Sequence, residues 1–297
     1  VDDPTIYFST TLYTGDGQQN RAVTIDGTGM QPNMLWIKSR SLGEGHVLGD
    51  SVRGATKKII PNDSEAESTS ATNIASFTST GFTVANGGVD GAVNTDAATY
   101  VSWAWKRTDS NDGSVNWIVQ STKLGNQTKL VLNTTEATST SSSFSETDDW
   151  TSALIDLGTY EGQNASNGTY VAYCFVEKQG FSSVGRTYIG NGSSDGQFIY
   201  TGFRPAFVML KNTTRAASWL MFDNKRFGYN TILPYIFPNS SAGETTNQNV
   251  NNIDFLSQGF KLRESDDDGN ASGSTYLYLA FASNPFVTST GIPTTAF

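Results

Sequence analysis

The chain has 297 residues, enough for two or three domains of ordinary size with sizeable cores. Charged residues make up only 16% and aromatic residues 12%, a balance that fits strands and turns with polar, uncharged surfaces and argues against helical surfaces rich in Glu, Lys and Arg. A net charge of −9 excludes the basic footprint of a nucleic-acid binder, one cysteine excludes an internal disulfide, and one histidine all but removes His-based triads and metal centres.

In chain order, the first unit spans residues 1–107. It opens Val1-Asp2-Asp3, which is not the start of a signal peptide and, lacking Met, reads as processed or as part of a longer protein. TLYTGDG (Thr11 to Gly17) predicts a strand running into an Asp-Gly turn, and MLWIK (Met34 to Lys38) a strand entered through Gln31-Pro32. HVLGDSVR (His46 to Arg53), SFTSTGFTV (Ser76 to Val84) and YVSWAW (Tyr100 to Trp105) follow as further strands. The second unit, residues 108–180, has no counterpart of TLYTGDG or of the Pro-led strand. It begins at NWIVQ (Asn116 to Gln120) and continues through KLVLNTTEAT, an exposed loop STSSSFSETDD (Ser139 to Asp149), WTSALIDLG (Trp150 to Gly158) and TYVAYCF. Aligned with the first unit, Trp150 falls on Phe77, Ile155 on Phe82 and Leu157 on Val84. A unit without its first strands leaves a sheet edge, so it is expected to pack on a neighbouring unit or on another chain. The third unit, residues 181–297, restores the missing strands with TYIGNG (Thr187 to Gly192) and GFRPAFVMLK (Gly202 to Lys211). WLMFDNKR (Trp219 to Arg226), FLSQGFKLR (Phe255 to Arg263) and a Pro-, Ser- and Thr-rich tail complete it. The segments Val1 to Thr11 and Pro285 to Phe297 could serve as arms. No apolar run approaches the roughly 20 residues of a membrane-spanning helix, so no membrane insertion is expected.

Two blocks tie the units together. NTDAATYVSWAW (Asn94 to Trp105), NASNGTYVAYCF (Asn164 to Phe175) and NASGSTYLYLAF (Asn270 to Phe281) each place an Asn six residues before a Tyr that opens an aromatic and β-branched run. NDSEAE (Asn62 to Glu67), NTTEAT (Asn133 to Thr138) and NSSAGE (Asn239 to Glu244) recur at the same intervals, 71 against 70 and then 106 against 106. The expected architecture is all-β, with tandem β-sandwich or jelly-roll-like units from an internal repeat. Cys174 aligns with Ala104 and Ala280 and reads as a small buried strand residue.

Taken together, YTGDG, GMQPNMLWIK, DSVRGATK, YVAYCF, GFRPAFVMLK, FDNKR, FLSQGFKLR and LAFASNPF resemble the C-terminal repeat region of large virion proteins of marine tailed bacteriophages. That region often follows a concanavalin-like domain in proteins described as tail fibres, tail spikes or structural proteins. The resemblance implies a non-enzymatic virion surface component, most simply a fibre or spike part that contacts host cell-surface polysaccharide. Its implied partners are other virion proteins and further copies of the chain, a trimer among the forms. A capsid or tail decoration protein that stabilises the particle is the alternative, and a glycan depolymerase a third.

Candidate chemistry is sparse. His46 aligns with Trp219 and reads as a half-buried packing residue. Paired carboxylates suited to glycoside cleavage could be sought at Glu65 and Glu67, Asp148 and Asp149, or Asp254 and Glu264, all in loops where acids are ordinarily solvated. Asp50 with Arg53 and Asp223 with Arg226 occupy equivalent positions, aligned with Gln120 and Lys123. Each pair reads as a salt bridge closing a turn, or else as the polar floor of a sugar site on which Trp36 and Trp219 could stack. Asp266 and Asp268, within ESDDDGN, read as a hairpin turn or as oxygen ligands for Ca²⁺, the one cofactor suggested. Asn133, Asn164 and Asn212 match glycosylation triplets and read more simply as turn and strand-edge residues.

Overall fold

A computed structural model describes residues 8–27, 29–86, 92–106, 116–145, 150–151, 154–168, 170–247 and 250–283. The first half contains β1 (Phe8–Thr14), β2 (Arg21–Thr24), β3 (Met34–Ser39), β4 (Val47–Asp50), β5 (Lys57–Lys58), β6 (Ser68–Thr69), β7 (Ile74–Thr78), β8 (Gly81–Val84) and β9 (Thr99–Trp105). The middle holds β10 (Ile118–Gln120), β11 (Thr128–Val131), β12 (Ser139–Thr140) and one short helix, α1 (Glu161–Asn164). The second half holds β13 (Ser182–Ile189), β14 (Phe198–Tyr200), β15 (Pro205–Asn212), β16 (Trp219–Asp223), β17 (Pro234–Tyr235), β18 (Thr245–Thr246), β19 (Ile253–Leu256), β20 (Gly259–Leu262) and β21 (Thr275–Ala282). The all-β expectation holds.

Two four-stranded antiparallel sheets share one strand order, β1-β9-β3-β4 and β13-β21-β15-β16. The three-stranded sheets β2-β8-β7 and β14-β20-β19 match in the same way, as do the pairs β5-β6 and β17-β18. Among its described residues the middle has one sheet, β10-β11-β12, in which Val119 pairs with Leu130 much as Leu48 bridges Ile59 and Met221 bridges Ile236.

Side-chain alternation along each four-stranded sheet feeds two cores. Tyr100 and Ala104 of β9 and Leu35 and Ile37 of β3 face Phe82 and Val84 of β8, forming the first sandwich. Tyr276, Tyr278 and Ala280 of β21 and Val208 and Leu210 of β15 face Phe260 and Leu262 of β20, forming the second. The opposite faces, carrying Trp36, Trp103, Trp105, Phe207, Trp219 and Phe281, meet in a third core shared by both halves and joined by Leu130 and Leu132 of the middle. The four-stranded sheets are therefore covered on both sides, which is why β3 is buried at every position, through the apolar run Met34–Ile37 and on to Lys38 and Ser39.

The recurring Asn residues have a mechanical explanation. The hydroxyl of Tyr100 accepts the N–H of Thr95, that of Tyr276 the N–H of Ala271, and that of Tyr170 the N–H of Ala165. Each Tyr thus fastens the turn that precedes its own run. Asn94 meanwhile bonds Asp16 and Gln18, and Asn270 bonds Asn191 and Ser193, tying that turn to the end of the first strand of each half. The close approach requires glycine: a Cβ on Gly15 would stand 2.0 Å from the Thr95 carbonyl, and one on Gly190 2.3 Å from that of Ala271. In the second block, the side-chain oxygens of Asn62, Asn133 and Asn239 accept the N–H groups of His46, Trp117 and Trp219.

The middle departs from expectation. Residues 170–177 belong to no sheet: β9 lies between β1 and β3 and β21 between β13 and β15, and the described residues of the middle include no counterparts of those flanking strands. Cys174, expected in a core, is exposed for the same reason. WTSALIDLG forms no strand among its described residues, and Leu154, Ile155 and Leu157 are exposed. The polar loop after β12 is not wholly exposed: Phe144 is buried, its ring edge-on to Tyr160 at 5.0 Å. Asp148 and Asp149, residues 1–7 of the first arm and all of the second lie outside the described residues, while Phe8–Thr11 of the first arm belong to β1 and pair with β9.

The last residues of the three Tyr-opened runs nevertheless meet. The ring centroids of Trp105, Phe175 and Phe281 form a nearly equilateral triangle with sides of 6.2, 5.8 and 5.9 Å. Phe8 stacks against two of its corners, 5.1 Å from Trp105 and 5.0 Å from Phe281. Truncating Trp105 or Phe281 to Ala is expected to cost about 3–5 kcal/mol in urea unfolding, as for large buried aromatics. Phe175→Ala, at a corner 40% exposed, is expected to cost less than half of that.

Candidate functional site

The polar residues singled out in the sequence lie inside the protein and use one another. Asp223 Oδ1 accepts the N–H groups of Lys225 and Arg226, while Oδ2 pairs with Arg226 Nε at 2.6 Å. Arg226 extends to Glu244 at 3.2 Å, and the Trp103 indole donates to Asp223 Oδ2 at 3.3 Å. Asp50 repeats the design. Its Oδ1 accepts from Val52 and Arg53, its Oδ2 meets Arg53 Nε at 2.6 Å, Arg53 reaches Glu67 at 3.3 Å, and Tyr173 donates its hydroxyl at 2.8 Å. Burial works to raise the Asp50 pKa; the Arg53 backbone N–H, the Arg53 charge and the Tyr173 hydroxyl overcome it and hold the carboxyl below its ordinary value. The turn-closing salt bridge is the arrangement observed. The sugar floor is not, because both carboxylates are fully engaged and both indoles are inside.

Trp36 is buried, its indole N–H donating to His46 Nδ1 at 2.8 Å. That bond leaves the proton of His46 on Nε2, which faces the carbonyls of Phe237 and Ser240 at 3.1 and 3.2 Å. His46 is thus fully buried, where half-burial was expected. Burial, reinforced by the Lys38 charge, pulls its pKa down to about 3. Trp219 is buried and donates to the Val131 carbonyl at 2.9 Å.

These contacts run in one direction around the molecule. His46 of the first half reaches the second, and Trp219 of the second reaches the middle. Tyr173 of the middle returns to Asp50 and Arg53 of the first. The Glu244 N–H donates to the Arg40 carbonyl, and at the next junction the Thr138 N–H donates to the Thr213 carbonyl. Arg40 also grips Glu244 through two 2.9 Å bonds. The head-to-tail contacts close into a ring of three.

The acidic turn holds its own backbone. Asp268 accepts from the Ser218 N–H at 2.6 Å, Asp266 from the Asp268 N–H at 3.1 Å, and Asp267 pairs with Arg215. Among the described residues no group of three or more acidic, His or Cys side chains is placed to hold a metal ion; the segment is a turn but not the hairpin expected, because the strands it joins, β20 and β21, lie in different sheets. Glu264 is buried; desolvation, with the Asp266 and Asp268 charges adding and the Asp266 N–H opposing, pushes its pKa up to about 8. Asp254 is turned away from it to Arg263 at 2.5 Å, and Glu67 is held by Arg53 and Lys57.

The exposed chemistry is on the outermost sheet of the second half. In β14, Ile199 points into the core and Phe198 and Tyr200 point out, 47% and 61% exposed and about 7 Å apart along the strand. Cross-strand pairing sets Phe198 opposite Lys261 and Tyr200 opposite Gly259. The Phe198 ring lies over Gly259, where a Cβ would stand 3.0 Å from it. Lys261 and Arg263 converge on Asp195 at 2.7 and 3.0 Å, and Arg263 also meets Asp254. The result is a shallow face with two exposed rings beside two cations and the exposed carboxylate of Asp195, while Asp254 is itself buried. Such a face can stack on the apolar side of a sugar ring and bond its hydroxyls.

The domain of unknown function DUF7483 matches the chain twice, over residues 3–115 and 108–285. The chain belongs to this family. No curated protein and no solved structure matches it. The first DUF7483 match covers the first sandwich and the second covers the middle together with the second sandwich. The aromatic face belongs to the second match alone, since the strand of the first that faces β8 as β14 faces β20 carries Ala22 and Thr24 beside an inward Val23. That contrast was available in RAVT against FIY, but only once the two strands had been aligned.

Asp223→Ala would leave Arg226 charged, buried and without its closest partner, and should cost about 3–5 kcal/mol in urea unfolding. His46 gives a pH signature. Its folded pKa lies below the ordinary 6.5, so its contribution to stability is complete above pH 6.5 and is lost as pH falls toward 3. His46→Asn should lower stability at pH 7 and remove from the stability-against-pH curve below pH 6 a slope approaching about 1.4 kcal/mol per unit.

Proposed function

We propose that the chain is a non-enzymatic structural component of a bacteriophage particle, displayed on the virion surface in a fibre or spike and contacting host surface polysaccharide. The observation that carries the contact is the pair of outward rings at Phe198 and Tyr200, flanked by Lys261, Arg263, Asp195 and Asp254. The resemblance of the ordered motifs to phage virion proteins supplies the setting. Binding without chemistry fits the engagement of the polar groups: Asp50, Asp223, Glu67 and Glu244 are held in internal ion pairs, and His46 is buried and bonded through both ring nitrogens. The decoration-protein reading, in which the chain clamps virion neighbours, is favoured by one separate observation, the exposed apolar positions of the middle.

The test is binding of the labelled chain to an array of bacterial capsular polysaccharides and lipopolysaccharides. Saturable binding is expected, reduced at least tenfold in a Phe198→Ala/Tyr200→Ala variant whose melting temperature stays within about 2 °C of the parent, as for exposed substitutions. Equal binding by parent and variant, or no binding to any glycan while the chain attaches to stripped particles at fixed copy number, would overturn the polysaccharide contact.

A further inference from the structure

The outermost sheets of the two halves are built on the same pairings and carry different outward side chains. Phe260 and Leu262 of β20 and Phe82 and Val84 of β8 fill the local cores. On the opposite face Ala22, Thr83 and Ser76 of the first half stand where the second has Phe198, Lys261 and Asp254, and Thr24 stands where it has Tyr200. The Ser76 and Thr83 hydroxyls bond each other at 2.7 Å, so the first half closes this face with small uncharged groups. The sheet therefore does not need rings and charges there in order to form.

The charges of the second half cancel where they stand. Buried Asp254 takes Arg263 Nε at 2.5 Å, and Asp195 takes Lys261 at 2.7 Å and Arg263 at 3.0 Å. Two cations meet two carboxylates, and the most exposed of the four groups is an anion: the Asp195 side chain is 78% exposed, against 37% for Arg263 and 23% for Lys261. Lys261, with Arg263 adding, holds the Asp195 carboxyl below its ordinary value, so it stays ionised. A sugar carboxylate, sulfate or phosphate would have to evict Asp195 from both cations, exchanging one set of ion pairs for another without net gain, while approaching a chain of net charge −9. An uncharged sugar meets no such opposition. Its C–H face stacks on the rings, and its hydroxyls donate to Asp195 and accept from Lys261 and Arg263 without breaking a pair.

We infer that this sheet selects an uncharged polysaccharide and turns acidic ones away, with Asp195 as the excluding residue; this rests on the polysaccharide contact proposed above and adds the class of glycan. Phe198 and Tyr200 supply affinity that is blind to charge. The ion pairs beside them supply the discrimination.

The test uses bacterial capsular polysaccharides and lipopolysaccharide O-chains in about 20 mM and about 500 mM NaCl, each acidic polymer being presented native and after chemical reduction of its uronic acids to neutral sugars. Among polymers that bind, affinity for neutral ones is expected to change less than about twofold between the two salt concentrations, and each acidic polymer should gain about tenfold on reduction. Asp195→Asn, at an exposed position, should keep the melting temperature within about 2 °C of the parent and raise affinity for the native acidic polymers about tenfold. Preferred binding of native acidic polymers, weakening as salt rises, overturns the inference and leaves the polysaccharide contact standing. So does an Asp195→Asn variant that excludes acidic polymers as the parent does. Binding to none of the polymers, or equal binding by the Phe198→Ala/Tyr200→Ala variant, overturns the contact itself and the inference with it.

Discussion

The face-to-face packing of the two four-stranded sheets is the contact on which the other layers depend. Each sheet is stable in water only if both of its faces are covered, and each outer sheet covers one. The remaining two faces cover each other through Trp36, Trp103, Trp105, Phe207, Trp219 and Phe281. Large rings suit this duty because each removes much apolar area from water while meeting its neighbours edge-on, as Trp36 meets Trp103 at 6.3 Å and Trp103 meets Phe207 at 5.8 Å. Most polar groups in this layer have partners; the buried indole N–H of Trp105 has none. The indoles of Trp36, Trp103 and Trp219 each find an acceptor across a junction or on a residue that spans one.

Buried charge is organised around the same junctions. A carboxylate that accepts two backbone N–H groups, an Arg and an aromatic donor has its lone pairs satisfied, and this is the condition under which an ion pair tolerates removal from water. Asp50 and Asp223 meet it with different aromatic donors, Tyr173 and Trp103. Glu244 serves two sides at once, holding Arg226 of its own half and Arg40 of the other. Lys38 and Lys211 are buried at equivalent places and bonded to carbonyls, and burial draws both down to about 8. These groups register the units against one another. They leave little of their chemistry for a ligand.

Much of this was legible in the sequence because both recurring blocks encode backbone geometry. The Asn-to-Tyr spacing specifies a turn fastened by its own strand, and the first Asn of the second block specifies the N–H acceptor at a strand entrance. The Asp-x-x-Arg turn was legible for the same reason. Its third and fourth partners were not, since Tyr173 lies 123 residues from Asp50 and Trp103 lies 120 from Asp223. Cys174 was misread because alignment transfers the environment of Ala104 and Ala280 without the strands that create it. Phe198 and Tyr200 went unnoticed because alternation in a three-residue strand gains meaning only from its partner, β20.

The three corners of the central triangle are carried by one polypeptide, and this permits something that three identical chains could not have. In a symmetric trimer every substitution at the axis appears three times, so the axis must suit a single residue type and all sectors must be alike. Here the corners are Trp, Phe and Phe, and the residues two positions earlier are Trp103, Tyr173 and Leu279. Each sector has been free to change alone. Among the described residues two sectors bury their local cores and the third leaves Leu154, Ile155, Leu157 and Val176 exposed, so an otherwise ring-like body is not the same all the way round.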